Sequence, residues 1–465
     1  MESGTGTRTR VQAIAERLAE VLEEPLAGEI RRLSSGASRE TFVFSTAARG
    51  ELIAQIARGG EGKIVSASPQ APLLEAAAEA GVPVALVVAY GEDDDVLGAS
   101  WTVVEALAGT TDPKAILAGE GAPAPGVLID EIAAALAAIH RMPRELASAP
   151  PAEDPVELLR SLHDGLGEPH SAFELAFRAL GSERPDAART TLVHGDFRMG
   201  NLMVDASGLT GVLDWELTHV GDPVEDLGWL CVPAWRFQRP DRPAAGLGTR
   251  DELRSAYARH AGAAVDAAAL RWWELYGTVR WGVICVMQAF THLSGARQSV
   301  EHAVIGRRAC EVEWDLLELL DPRPAGAAAH SPSELGRGNP PRTPALHDRP
   351  TAIELIDAAR GALGDDVLPA LEGRAAFQMR VSLRALGMVR RELEHHDEHA
   401  VQHAAALGSV GCSDERELAR AIREGTLSAS EADVLAAVRE TVRAKLEVAN
   451  PSYLTMTESI AREER

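Results

Sequence analysis

Asp196, Asn201 and Asp214 are the residues whose types and spacing carry the most chemistry in this sequence. They lie in TLVHGDFRMGNLMVDASGLTGVLDWE, residues 191–216. Leu202–Val204 and Leu209–Leu213 are short apolar runs on either side of Asp205-Ala206-Ser207-Gly208, a turn sequence, so the pattern predicts a hairpin. Folding it brings Asn201 and Asp214 back opposite each other, with Asp196 five residues before Asn201 on the entering loop. Three oxygen-bearing side chains then converge on one point. A hard cation such as Mg²⁺ prefers oxygen ligands and keeps few protein contacts when it shares a nucleotide's phosphates, which suits Asn201 and Asp214. Asp196 would accept or orient the proton of an attacking hydroxyl. That combination is what phosphoryl transfer needs.

The elements around this segment divide the chain. Val11–Leu22 reads as an amphipathic helix, followed by β-prone runs at Glu40–Thr46, Glu51–Ala57, Val84–Tyr90 and Ser100–Glu105. Between them Leu73–Ala80 is helical in pattern and stops at Gly81. Ile129–His140 is a second helix, and from there to Leu320 the pattern is helical, broken by the β element at Thr191–Trp215. A small β-rich lobe (about 20–108) therefore precedes a larger helical lobe (about 109–320) in a domain spanning residues 1–320. Pro322–Pro350 holds seven prolines among glycine, alanine and serine, so 321–348 reads as a linker. Residues 349–456 then carry four helices, Thr351–Leu363, Arg374–His396, Glu415–Arg423 and Glu431–Val448. Capping pairs open three of them: Thr351 with Glu354, Asp414 with Glu417, Ser428 with Glu431. This predicts a separate all-helical domain.

A chain of 465 residues with 46% hydrophobic and 25% charged residues is ordinary for globular domains. Its net charge of −23 argues against nucleic acid and against docking on an anionic membrane. Only three lysines occur, Lys63, Lys114 and Lys445. The four cysteines lack metal-site spacing and read as reduced thiols. With no apolar leader and no membrane-length run, the expected location is cytoplasmic. Trp272, Trp273 and Trp281 read mainly as core, while Trp235 is placed to wall an acceptor site. His395, His396, His399 and His403 share one helix; the spacing suits Zn²⁺, but a polar, solvent-facing helix end is the favoured reading.

The HGDFRMGN stretch at His194–Asn201, followed by LDWE at Leu213–Glu216, resembles the aminoglycoside-phosphotransferase-like family. The likeness is to its branch found fused or adjacent to acyl-CoA dehydrogenases. It extends through VVEALAG (Val103–Gly109), ALAAIH (Ala135–His140) and GDPVEDLGW (Gly221–Trp229), about 300 residues in all. The Asp-x4-Asn spacing also matches the catalytic loop of protein kinases. The resemblance implies an α+β, bilobal protein-kinase-like fold with a β-rich N-lobe and a helical C-lobe. It also implies ATP and Mg²⁺ as cofactors, Asp196 as base, and Asn201 and Asp214 as metal ligands. Arg198 would offset the base's charge, His194 brace the loop, Glu216 stand behind the ligands, Asp222 cap a helix and Asp226 anchor the loop. Ser35 and Gly36 fall in the phosphate-covering loop, and Val103–Leu107, with Glu105 and Leu107, would be the hinge whose backbone receives adenine.

One departure concerns the third strand, where the family carries a cation for the phosphates. ELIAQIAR has Gln55 at that place, Arg58 three residues on and Lys63 beyond; Arg58 is the favoured cation, with Gln70 and Glu75 both open as the partner position. The expected activity is ATP:alcohol phosphotransfer to a small-molecule hydroxyl, with a hydroxyacyl-CoA as the acceptor suggested by the branch. The alternatives are a nucleotide-binding pseudokinase that regulates a partner enzyme and an aminoglycoside phosphotransferase. The stretch from RPTAIELIDAAR to VANPSYL is similar to an uncharacterised domain found alongside such phosphotransferases. It would serve association, with an acyl-CoA dehydrogenase or with itself.

Overall fold

The computed structural model describes residues 3–35, 39–57, 70–147, 154–182, 184–185, 189–322 and 350–454. In chain order the elements begin with α1 (Ser3–Leu22), β1 (Arg31–Ser35), β2 (Arg39–Thr46), β3 (Gly50–Ala57), α2 (Ala71–Glu79), β4 (Val87–Asp94) and β5 (Gly98–Glu105). Then come α3 (Pro113–Ala118), α4 (Pro125–Ile139), α5 (Pro155–Leu166), α6 (Ser171–Ser182), β6 (Thr191–Val193), β7 (Leu202–Asp205), β8 (Gly208–Val212) and β9 (His219–Gly221). The remaining helices are α7 (Val224–Cys231), α8 (Arg250–Ala261), α9 (Ala267–Leu293), α10 (Val300–Gly306), α11 (Ala309–Leu320), α12 (Ala352–Gly361), α13 (Gly373–Ser409), α14 (Glu415–Glu424) and α15 (Ala432–Ala449). They form two compact units, Met1–Glu153 with Pro185–Glu274, and Asp154–Arg184 with Leu275–Arg465.

In the first unit an antiparallel sheet has the order β1-β2-β3-β5-β4. The alternation in GELIAQIA turns Leu52, Ala54 and Ile56 to one face, where they join Phe42, Phe44, Trp101 and Val103. The stripe Ile14 and Leu18 of α1 closes that core. Ladder register puts Thr41 opposite Gln55 and Gln55 opposite Thr102, so these polar residues share the other face. Two short ribbons follow, β7 with β8 and β6 with β9. The hairpin expected at Leu202–Leu213 is present, and β4 starts at Val87, three residues later than its expected start at Val84.

In the second unit one hydrophobic cluster joins Ala172 and Leu175 of α6, Trp314 and Leu317 of α11, and Leu418, Ile422, Val434, Val438, Val442 and Leu446 of α14 and α15. The compact units therefore cut elsewhere than at the proline-rich segment. Helices expected to belong with residues 1–320 share a core with the helices of 349–456. The reason lies in α11, which carries Glu311, Glu313 and Asp315. They are buried and accept hydrogen bonds from Asn450, Lys445 and Tyr453 respectively. Helix α13 runs on past His396 to Ser409. His399 pairs with Glu447 at 3.0 Å and His403 with Thr441 at 3.1 Å, so two of the four histidines fasten α13 to α15 rather than facing solvent. Helix α15 begins at Ala432, with Glu431 at the N-cap position and its carboxylate accepting the Ser428 N–H at 2.8 Å. All four cysteines are free and buried.

Candidate active site

Strand β6, buried throughout, delivers the chain into His194-Gly195-Asp196. Gly195 has φ +81°, and a Cβ there would lie 2.3 Å from the Leu217 carbonyl oxygen, so the turn admits only glycine without a shift. Asp226 of α7, fully buried, accepts the His194 N–H at 2.7 Å and the Gly195 N–H at 2.9 Å. His140 Nε2 meets the same carboxylate at 3.1 Å, and His140 Nδ1 meets the Tyr257 hydroxyl at 2.8 Å. Arg189 donates to that hydroxyl, so its own proton is directed to Nδ1 and the Nε2–H to Asp226. Burial would push the Asp226 carboxyl up, but the hydrogen bond from His140, the two imidazoles and the loop N–H groups hold it below the usual carboxylate range. His194 is buried and its pKa lowered by that burial. Its Nε2 donates to the Leu213 carbonyl at 3.1 Å and its Nδ1 accepts the Asp196 N–H at 3.3 Å. A neutral ring with both nitrogens engaged is a brace, and no proton is free to transfer.

Asp196 projects from this loop with both oxygens held. Oδ1 accepts from the Trp229 indole at 2.8 Å and Arg198 Nε at 3.1 Å; Oδ2 accepts from Asn201 Nδ2 at 2.7 Å. The other Asn201 amide hydrogen goes to the Asp196 carbonyl at 2.9 Å, which leaves Asn201 Oδ1 as that side chain's remaining group. The Leu213 N–H donates to the Asn201 carbonyl at 2.8 Å, closing the two ends of the hairpin. Asp214 follows at φ 64°, ψ 64°, a left-handed conformation rare outside glycine. Its carboxyl is pushed up to about 6 by burial first and then by Glu216 and Asp196, against the pull of Arg198 and Arg39. The donor set fits a divalent cation: a carboxylate with a raised pKa beside other carboxylates, and across the hairpin an amide whose hydrogens point away and whose oxygen is left over.

A model of the phosphotransferase enzyme family matches residues 29–264, just over half of the 465-residue chain. The chain belongs to this family. A domain of unknown function, DUF6285, matches residues 369–453. Acyl-CoA dehydrogenase family member 10 of Mus musculus is 28% identical over 170 residues, 34% of this chain and 16% of that protein. Family member 11 of Gallus gallus is 26% identical over 224 residues, 43% of this chain and 27% of that protein. The phosphotransferase thus matches between a sixth and about a quarter of the length of these relatives. A solved structure of a candidate aminoglycoside phosphotransferase from Ralstonia eutropha superposes with a TM-score of 0.54 at 22% identity, covering 66% of this chain and 97% of that one. The fold is accordingly the kinase-like α+β fold of these enzymes, a sheet region followed by a helical one.

On the sheet side of this phosphotransferase, the Glu105 N–H is taken by Leu86 and the Ala106 N–H by Glu51. Among the described residues no backbone carbonyl accepts the Leu107 N–H. Leu107 lies over Gly211 of β8, where a Cβ would come within 2.2 Å of its Cδ1. Thr110 and Val204 exchange hydrogen bonds of 2.8 and 3.0 Å, so the hinge is zipped to the hairpin that carries the acidic residues. Ser35 ends β1, opposite Glu40; Gly36 and Arg58 lie outside the described residues. Glu216 acts on Asp214 through its charge, and Asp222 Oδ1 accepts the Val224 N–H at 2.9 Å at the start of α7.

The sequence reading gave no role to Trp229, His140, Tyr257 or Arg39. The signal for Trp229 was present: Asp226 and Trp229 are three residues apart on α7 and so share a face. One reaches the loop's backbone and the other its carboxylate. Trp235, expected as a wall, packs edge-on to Trp229 at 5.5 Å and lies 5.0 Å from the Arg198 guanidinium.

Proposed function

We propose that this chain transfers the γ-phosphoryl group of ATP to a hydroxyl of a small molecule. The observation that carries this reading is the single cluster of Asp196, Asn201 and Asp214, built on one loop and one hairpin. Asp196, oriented by Trp229 and Arg198, takes or steers the proton of the acceptor hydroxyl. Asn201 through Oδ1 and Asp214 through its carboxylate would hold Mg²⁺, which supplies charge neutralisation on the phosphates. Asp226, His140 and Tyr257 fix the loop, which keeps Asp196 in place before substrate arrives. The Leu107 N–H and neighbouring hinge backbone receive the adenine.

The acceptor we favour is a hydroxyacyl-CoA, because the sequence relatives carry an acyl-CoA dehydrogenase name. Phosphorylation would turn its hydroxyl into a leaving group for a later elimination. A partner dehydrogenase belongs to the same proposal. Among the described residues no helix is long and apolar enough to cross a membrane. The test is ADP release from Mg·ATP with a panel of hydroxyacyl-CoAs and aminoglycosides, with the product identified by mass. Turnover on hydroxyacyl-CoAs supports the reading. Turnover only on aminoglycosides would move the assignment to antibiotic modification. Nucleotide binding with no phosphorylated product would favour the pseudokinase reading, for which Gln55 on β3 is the specific observation.

A further inference from the structure

Strand β3 brings no cation to the face that carries Gln55, where its one charged residue is Glu51. Gln55 sits there between Thr41 and Thr102 in an uncharged polar row across three strands. One strand over, Arg39 stands opposite Ala57 and two residues from Thr41, and therefore on that same face. It directly follows the segment 36–38, where the phosphate-covering loop is expected. Its guanidinium interacts electrostatically with Glu216 and Asp214, two residues that come from the other end of the cluster's hairpin. Three carboxylates, Asp196, Asp214 and Glu216, thus meet two guanidiniums, Arg198 and Arg39. Arg198 is committed to Asp196 and stacked by Trp235. Arg39 is the cation whose partners would be neutralised by a bound divalent ion, and it keeps its charge even though burial lowers its pKa.

We propose that Arg39 is the residue that grips the nucleotide's phosphates, in place of the strand cation that Gln55 cannot supply. The inference rests on the ATP reading above. A guanidinium fork matches two phosphate oxygens at once, so the geometry differs from that of a lysine reaching from β3. Calorimetric titration of the full chain with Mg²⁺ and adenosine, ADP or ATP separates the possibilities. In Arg39→Met, ATP and ADP affinity should fall by about 10-fold or more, the size expected for a lost charge-assisted pair, while adenosine binds as in the wild type. Arg39→Lys, which keeps charge and stem, should regain part of the ATP affinity. Equal losses for adenosine and ATP in both variants would show a packing role and overturn the proposal. So would unchanged ATP affinity in Arg39→Met when the wild type binds ATP; in that case the ATP reading stands. A wild type that binds adenosine, ADP and ATP no better than buffer removes both.

Discussion

Buried acids occur in both units of the molecule and are matched in both, whereas Asp214 at the candidate site is set differently. In the second unit each has a fitted partner. Glu313 takes Lys445 at 3.1 Å, Glu174 takes Arg160 at 2.9 Å and Arg423 at 2.5 Å, and Asp315 takes the Tyr453 hydroxyl at 2.8 Å. Desolvation would lower the pKa of the half-buried Lys445, yet its two carboxylates raise it. In the first unit Asp226 takes His140 and Glu274 takes Arg236 and Arg250, whereas the more exposed Asp214 is pushed up to about 6, with Glu216 and Asp196 outweighing Arg198 and Arg39. A buried acid with a fitted partner marks a joint, whereas an acid with a raised pKa among like charges marks a place for a ligand. The same residue type therefore signals architecture where it is paired and chemistry where it is crowded by its own charge.

If the second unit's acids are joints, removing the helices that meet them should be the most damaging change of all. A chain ending at Asp321 would expose Trp314, Leu317, Ala172 and Leu175, which lie at or below 2% exposure in the full chain. It would also strand the Glu313 and Asp315 charges. The expected outcome is aggregation or loss of a cooperative melt, read by calorimetry and light scattering. A truncated chain that melts cooperatively at the wild-type temperature would show that residues 349–454 form an independent domain, as the proline-rich segment suggests.

The catalytic side of the comparison gives the next largest effect. Asp196→Asn keeps the shape of the side chain and removes the proposed base, so turnover should fall by ~10²–10³-fold while Mg·ATP affinity and melting temperature stay near wild type. A variant with at least a tenth of wild-type turnover would remove Asp196 from the chemistry. This residue, with Asn201 and Asp214, was legible in sequence because turn residues and apolar runs fix the hairpin register locally. The β-rich start and helical remainder were legible for the same reason, from periodicity within single elements. What lay beyond reach depends on contacts distant in sequence. Tyr257 reaches His140 across 117 positions and Asp226 reaches His194 across 32. Lys445 reaches Glu313 across 132 positions, and the core division follows from that kind of contact.

A smaller effect should come from a pair of histidines in the second unit. His163 Nε2 and His170 Nδ1 lie 3.1 Å apart and buried, and burial lowers both rings from 6.5 to about 4. Because the folded pKa lies below the unfolded one, this contribution is intact above pH 6.5 and is lost as pH falls toward 4. At pH 5 the loss is about 2 kcal/mol per ring at most, since the unfolded chain takes up protons that the folded one refuses. Urea melts between pH 7 and 5 should show a shallower decline in a His163→Gln, His170→Gln double variant. Identical slopes would mean that other groups govern acid unfolding.

The smallest predicted effect has the opposite sign and tests the comparison most directly. Where an acid is buried and matched, removing it should harm stability; where it is crowded by like charges, removing it should help. Asp214→Asn deletes a charge that burial, Glu216 and Asp196 all oppose and keeps the side chain's size. The charged form predominates above the raised pKa, so removing its cost should give the ligand-free protein ~1 kcal/mol or less near pH 7.5, since solvent screens this exposed side chain. Below pH 5.5 the gain should fade, since the wild-type carboxyl is then largely protonated. Added Mg·ATP should reverse the ranking, stabilising the wild type far more than the variant. A ligand-free Asp214→Asn protein less stable than wild type at pH 7.5 would show that Asp214 is matched after all by partners such as Arg39 and Arg198, and the contrast between the two regions would not hold.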